Sequence, residues 1–123
     1  MHMKVLIVED DLVTGILVET LLKDAGHTSC LATDSDSAQK LVELESFDAL
    51  VSDWSVPGSL SGVEVAANFA KVNPKSPILF VTGHPRESLP AVDPSLSHAS
   101  FRQKPVDYEE VVRELEKLTL HLQ

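Results

Sequence analysis

The sequence predicts an α/β protein in which helices cover both faces of a five-stranded parallel sheet. Short apolar runs rich in β-branched residues alternate with longer stretches whose apolar residues recur at helical spacing. The connections between these stretches are short, and 123 residues are enough for one domain with a proper core. Strands and helices that alternate in this way build a doubly wound sheet with right-handed crossovers.

Five segments are predicted to be strands. The first, third and fourth are continuous apolar runs, which is typical of strands that are covered on both faces. The second is less apolar and is expected at an edge of the sheet, and the fifth is short. In order along the chain, the segments are residues 4–8, 28–32, 49–51, 78–81 and 99–102.

Four regular helices are predicted from apolar stripes and from residues that begin or end helices. They are expected near residues 12–25, 38–44, 63–73 and 108–122. Gly26 ends the first helix, residues 34–37 supply the cap of the second, and the third stops before Pro74. The stripe of the first helix consists of Leu12, Ile16, Leu17, Val18, Leu21 and Leu22.

Residues 84–98 interrupt the alternation between the fourth and fifth strands. Pro85, Pro90 and Pro94 fall within this stretch, and a proline inside a helix costs about 3 kcal/mol or more. A single short helical turn or an irregular fourth helix is therefore predicted here.

Composition limits the possible function classes. A formal net charge of −9 argues against direct binding to nucleic acid. No apolar run approaches the ~20 residues that a membrane span needs, so no membrane contact is expected. The single cysteine, Cys30, excludes an internal disulfide and a multi-cysteine zinc site, which fits a reducing cytoplasm. The whole chain, residues 1–123, is expected to be one domain.

Acidic residues follow two of the predicted buried strands. Glu9 and Asp10 stand at the end of the first strand, and Asp53 stands at the end of the third. If these strands are neighbours they lie ~4.8 Å apart, and two carboxylates at that distance repel by roughly 3 kcal/mol. Such a cluster holds a proton or recruits a cation, and an all-oxygen site suits Mg²⁺.

A structural explanation of these acids stands beside the metal site. Asp11, which follows Glu9 and Asp10, is the natural helix cap of the first helix. Asp53 considered alone is better explained as the cap of a turn or of the next helix, a role that aspartate often takes.

Four motifs together favour the metal site over the structural explanation. The stretch VLIVEDD at 5–11, Asp53 with Pro57-Gly58, Thr82 after PILFV, and Lys104-Pro105 resemble the receiver domain of bacterial two-component response regulators. The resemblance covers essentially the whole chain in the right order. It implies a flavodoxin-like (CheY-like) fold with strand order 2-1-3-4-5, in which the first and third strands are neighbours.

The resemblance also assigns a metal site. Asp53 would be the phosphoacceptor and would share a Mg²⁺ ion with the other acids. Asp10 would bind the ion directly, Glu9 would bind it through water, and the main-chain carbonyl of Ser55 would complete the protein ligands.

Three further roles come from the same resemblance. Thr82 would donate a hydrogen bond to a phosphoryl oxygen, and Lys104 would pair with the phosphoryl group or, before phosphorylation, with Asp53. Phe101 occupies the position of the switch aromatic. The Lys104-Pro105 peptide bond is expected to be cis, and Trp54 is expected to form a lid over the pocket.

The resemblance implies a phosphorylation-controlled signalling module and not an enzyme, apart from self-phosphorylation and slow autodephosphorylation. The phosphodonor would be a histidine kinase or a histidine phosphotransfer protein, and the chain would be a monomer or a weak homodimer. Residues 80–84 resemble the FATG-type variant linked to HWE-type kinases.

Two alternatives belong to other function classes. One is a pseudo-receiver, a scaffold that binds partners without being phosphorylated. The other is a haloacid-dehalogenase-type phosphatase, which would have an aspartate in place of Ser55. The sequence is compatible both with a single-domain regulator and with one domain of a larger chain.

Overall fold

The computed structural model describes residues 1–84 and 94–122, and for residues 121 and 122 it describes the backbone alone. Its strands are Lys4–Val8 (β1), Thr28–Ala32 (β2), Ala49–Ser52 (β3), Ile78–Thr82 (β4) and Ser100–Gln103 (β5). Its helices are Leu12–Asp24 (α1), Ser35–Leu44 (α2), Gly62–Val72 (α3) and Tyr108–Leu122 (α4). Each of them matches a segment predicted from the sequence, and no end is shifted by more than three residues.

The five strands form one parallel sheet in the order β2-β1-β3-β4-β5. This confirms the predicted fold class, the strand order and the edge position of β2. The register sets Val8 of β1 beside Ser52 of β3. The residues that follow these two strands therefore leave the sheet at the same level.

The core lies in two layers, one on each face of the sheet. Alternate residues of the central strands point to opposite faces, as the pleat of a strand requires. Leu6, Leu50 and Phe80 pack with α2 and α3 on one face. Ile7 and Leu79 pack with α1 and α4 on the other face.

Three of the helices begin at side chains that accept backbone N–H groups. Asp11 caps α1, as expected from the sequence, and Asp34 caps α2. Ser61 and Glu64 form a capping box at the start of α3. These caps fix the chain directly after β1, after β2 and at the end of the loop that follows β3.

The apolar stripe predicted for α1 is only partly buried. Val18 and Leu22 lie in the core together with Gly15, where an added Cβ would stand 2.7 Å from Leu31 Cδ1. The close approach at Gly15 turns this face of the helix toward the sheet. Leu12, Ile16 and Leu17 therefore point outward, with exposed fractions of 56%, 49% and 45%, and Val13 joins them at 77%.

The region of the predicted irregular fourth helix is only partly described. Residues 85–93 lie outside the described residues, so the prediction for them stays open. Pro94–Leu96 forms one short 3₁₀ turn, in which Leu96 is buried. Within the described part of the chain, no helix has the length and apolarity needed to cross a bilayer.

Candidate functional site

The sheet places the acidic residues at the carboxyl ends of β1 and β3. The Asp53 amide donates to the Val8 carbonyl at 2.9 Å, and the Glu9 amide donates to the Ala32 carbonyl at 3.0 Å. These bonds extend the ladder by one step beyond the strands. The backbones of Glu9 and Asp53 are thus held as firmly as the strands themselves.

Glu9, Asp10 and Asp53 form one acidic pocket. One carboxylate oxygen from each residue lies within 4.8 Å of the other two. Glu9 is buried, with 6% of its surface exposed, whereas Asp53 is half-buried and Asp10 is exposed. The three acids therefore lie close together, as predicted, and the pocket is open to solvent at Asp10.

Lys104 reaches into this pocket from the end of β5. Its Nζ donates to Glu9 Oε1 at 2.9 Å and to Asp53 Oδ2 at 3.0 Å. The Lys104 amide donates to the Thr82 carbonyl at 2.7 Å, and the Lys104-Pro105 peptide bond is cis, as predicted.

The pocket holds more negative than positive charge. Burial raises the pKa of Glu9, and hydrogen bonds from Lys104 and from the Asp11 amide offset that rise only in part. Burial opposes the charge of Lys104, but its hydrogen bonds to Glu9 and Asp53 raise the pKa of the ammonium above its ordinary value. A single ammonium thus faces three acidic side chains, and the pocket favours a further cation.

Ser55 and Thr82 complete the set of residues predicted for the site. The Ser55 amide donates to Asp53 Oδ1 at 3.2 Å, so the loop after β3 curls around the Asp53 carboxylate. Thr82 is 2% exposed and ends β4, where its hydroxyl accepts the His84 amide at 3.2 Å. Both residues lie at the same edge of the sheet as the acidic pocket.

Trp54 and Phe101 belong to an aromatic cluster with Phe80. The Trp54 ring meets the Phe80 ring edge-on at 5.0 Å, and the Phe80 and Phe101 rings stack at 5.2 Å. The Trp54 and Phe101 rings are 5.8 Å apart, and Trp54 is only 8% exposed. The prediction of a Trp54 lid is wrong, because its indole gains more by packing in the α2 and α3 layer than by covering a polar pocket.

The donor set of the acidic pocket fits Mg²⁺. Carboxylate oxygens are hard ligands, and Mg²⁺ takes one or two of them with water and phosphate oxygens in the remaining positions. The exposed Asp10 leaves room for those waters, and Asp53 is within reach of the same ion. No sulfur or imidazole ligand belongs to this group of acids, so the softer metals are not favoured.

One contact of the site was not predicted from the sequence. The resemblance pairs Lys104 with Asp53 alone, but in the structure Lys104 also binds Glu9. Glu9 and Lys104 are 95 residues apart, and no local pattern links them. The only available signal was the burial expected of an acid directly after a buried strand, which needs a cationic partner.

Comparison with known proteins agrees with this geometry. The family model for the response regulator receiver domain matches residues 5–116. The chain is 27% identical over 118 residues to the response regulator receiver protein CpdR of Brucella abortus, covering 95% of this chain and 97% of CpdR. It is 32% identical over 126 residues to the uncharacterized transcriptional regulatory protein YrkP of Bacillus subtilis, covering 98% of this chain but only 53% of YrkP.

Solved structures show the same fold. The receiver domain of the Francisella response regulator 1452 superposes with a TM-score of 0.81 at 22% identity, covering 98% of this chain and 99% of that one. A CheY-like receiver domain protein from Methanospirillum hungatei JF-1 gives 0.83 at 20% identity, covering 99% and 97%. With the family model and the acidic pocket at the ends of β1 and β3, these likenesses lead to one conclusion: the chain belongs to the response regulator receiver domain family.

Proposed function

We propose that this chain is a phosphorylation-controlled module of a two-component phosphorelay, with Asp53 as the phosphoacceptor. The observation that carries the proposal is the acidic pocket, in which Glu9, Asp10 and Asp53 converge and Lys104 binds two of the three. Receiver domains are signalling modules and not classical enzymes, so the chemistry is confined to the gain and loss of this one phosphoryl group.

The transfer step uses Asp53 as a nucleophile. A carboxylate oxygen of Asp53 forms a bond to phosphorus while the bond between phosphorus and the donor's imidazole nitrogen breaks, and the imidazole keeps the electron pair. Asp10, Glu9 through water and the Ser55 carbonyl would hold a Mg²⁺ ion, which would supply positive charge for the phosphoryl oxygens. Lys104 supplies the second cation, and it already lies 3.0 Å from Asp53.

Two further residues serve the phosphorylated form. Thr82 ends β4 beside the pocket, and its hydroxyl can turn from accepting the His84 amide to donating to a phosphoryl oxygen. Phe101 can then move within the aromatic cluster and carry the change to β5. It does so by packing alone, because it lacks the hydroxyl of a tyrosine.

The partner is a histidine kinase or a histidine phosphotransfer protein. Output then passes through protein contacts of a cytoplasmic monomer or weak homodimer, because the net charge of −9 opposes direct binding to nucleic acid.

Phosphorylation can be tested with acetyl phosphate and Mg²⁺, followed by intact-mass measurement. The expected result is a gain of one phosphoryl group, which should not occur when the cation is chelated beforehand or in Asp53→Asn. An equal gain in Asp53→Asn would refute the role of Asp53. A folded wild-type chain that gains no phosphoryl group, from acetyl phosphate or from a phosphorylated histidine protein, would be a pseudo-receiver.

A further inference from the structure

The loop that joins β3 to α3 (residues 53–61, the β3–α3 loop) is bonded to the start of α2. The Ser35 amide donates to the Pro57 carbonyl at 2.8 Å, and the Leu60 amide donates to Ser35 Oγ at 3.1 Å. Ser35 is fully buried, so water does not compete for these bonds. The second half of the loop is therefore bonded on both sides of Gly58 to a single residue of α2.

Asp36 adds a second pair of bonds to the same loop. Its Oδ2 accepts the Ser59 amide at 3.1 Å, and its Oδ1 accepts the Ser59 hydroxyl. These hydrogen bonds lower the pKa of the Asp36 carboxyl. Asp36 is therefore ionised at neutral pH and acts as a charged acceptor, which makes stronger hydrogen bonds than a neutral one.

Gly58 allows the loop to approach α2 this closely. Its φ of +129° lies in the region that favours glycine, and a Cβ there would stand 2.1 Å from Ser35 Oγ and 3.1 Å from Asp36 Oδ2. No side chain fits at this position without separating the loop from α2.

The far end of the loop is fixed in the same close manner. A Cβ on Gly62 would stand 2.4 Å from the Trp54 carbonyl and 2.8 Å from the Asp53 carbonyl. The first residue of α3 therefore packs on the backbone where the loop begins. Ser55 lies between these two attachments, and its amide donates to Asp53 Oδ1.

We propose that Ser35 and Asp36 are positioning residues for the phosphorylation site, which they serve by holding the β3–α3 loop so that the Ser55 carbonyl faces the acidic pocket. The proposal rests on the proposed function, because it concerns the Mg²⁺ site of that function. Mg²⁺ demands near-ideal octahedral geometry at 2.0–2.1 Å. A loop held in place before the ion arrives loses less conformational freedom on binding than a free one.

The matched control lies two residues away. Asp34 accepts the amide of Ser37 at 2.7 Å and its hydroxyl at 3.1 Å, the same two groups that Asp36 accepts from Ser59. Both aspartates belong to the start of α2, but Asp34 bonds within the helix whereas Asp36 bonds to the loop. Asp34→Ala and Asp36→Ala therefore remove equivalent bonds, but only Asp36→Ala removes bonds to the loop.

The first measurement is amide hydrogen exchange in protein free of Mg²⁺. Asp36→Ala should speed exchange at Ser59 and Leu60 by roughly tenfold, the worth of one or two hydrogen bonds. Asp34→Ala should speed exchange at Ser37, whose amide donates to Asp34, and should speed exchange at Ser59 and Leu60 less than Asp36→Ala does. Asp36→Asn keeps one acceptor oxygen and should restore part of the protection.

The second measurement is the Kd for Mg²⁺ alone, followed by Trp54 fluorescence. Asp36→Ala should weaken binding by roughly three- to tenfold, and Asp36→Asn and Asp34→Ala should each weaken it by less. An unchanged Kd in Asp36→Ala, or a loss no greater than that of Asp34→Ala, would overturn the proposal. Failure of the proposed function is distinguishable, because the wild-type chain would then bind no Mg²⁺ while exchange still reported the loop contacts.

Discussion

At the scale of single residues, Glu9 and Asp10 are chain neighbours with different surroundings. Glu9 is buried and accepts a hydrogen bond from Lys104, whereas Asp10 is exposed. A carboxylate already engaged by an ammonium and shielded from water is less available to an ion than an exposed one. The structure thus supplies a physical reason for the direct and water-mediated roles that the resemblance assigns to them.

Mg²⁺ binding should distinguish the two acids. Asp10→Asn is expected to weaken the Kd by tenfold or more, and Glu9→Gln by about threefold, because only the first removes a direct ligand. Titration of Trp54 fluorescence measures both, since Trp54 adjoins Asp53. Equal losses in the two variants would contradict the assigned roles.

Asp10→Asn, which is expected to weaken Mg²⁺ binding, should stabilise the folded protein when Mg²⁺ is absent. One ammonium does not balance three acidic side chains, so Asp10→Asn relieves repulsion and should raise the free energy of unfolding by about 1 kcal/mol. Urea unfolding in the presence of a chelator measures it. Glu43→Gln, an exposed position on α2, changes the net charge equally and should leave stability unchanged. An equal rise in the free energy of unfolding of Glu43→Gln would show that the gain comes from the change in net charge and not from the acidic pocket.

At the scale of elements, α1 presents an unusual outer surface. Its exposed apolar patch, defined by Leu12, Val13, Ile16 and Leu17, begins two residues after Asp10. Four large apolar side chains at helical spacing next to the proposed phosphorylation site are expected to form a contact surface for the donor protein. The stripe predicted to be buried on α1 was too wide because it included Leu12, Ile16 and Leu17, which belong to this exposed patch.

A charged residue introduced into this patch should slow transfer from a protein phosphodonor but not from a small-molecule phosphodonor. Val13→Asp is expected to slow transfer from a phosphorylated histidine protein by about tenfold, the worth of one buried valine. Labelling by acetyl phosphate should not change, because a small donor needs no docking surface. Leu44→Asp on α2 is the control, since Leu44 is 78% exposed. Equal slowing in both variants would show that the patch has no special role.

At the scale of the whole molecule, phosphorylation at one edge of the sheet has to reach a binding surface. A phosphoryl group carries about −1.5 to −2 charges in place of one. Thr82, drawn to it, would give up its bond to the His84 amide, and Phe101 would follow from β5. The surface predicted to change comprises residues 84–98, β5 and the start of α4, of which 85–93 lie outside the described residues.

Hydrogen exchange with and without beryllofluoride, which mimics the phosphoryl group, tests this path. Faster exchange at His84 is expected because its amide would lose the Thr82 hydroxyl, and altered exchange in β5 and at the start of α4 is expected because Phe101 lies in β5. The Thr82→Ala variant should lose these distant changes and keep those around Asp53. Changes confined to the acidic pocket in the wild type would leave residues 84–98 without a signalling role.

Local sequence patterns were enough to determine the strands and the acids that follow them, and the family resemblance added the strand order. An apolar run followed at once by a carboxylate predicts a buried strand with an acid at its end, and this holds for β1 and β3. Once the strands are parallel and adjacent, the register brings Glu9 and Asp53 together without further information. The Lys104 motif and its cis proline were recognisable because they are short and contiguous.

The tertiary structure alone decided how side chains from distant segments meet. Trp54 turned into the core because Phe80 and Phe101 offer it aromatic faces, and Lys104 bonded Glu9 as well as Asp53. The bonds between α2 and the β3–α3 loop join residues 22 to 25 positions apart in the chain. Such contacts depend on the rotation of each helix about its axis and on the space left between packed elements. A hydrophobic pattern constrains that rotation only to within a broad face, so close packing in the folded chain has to settle it.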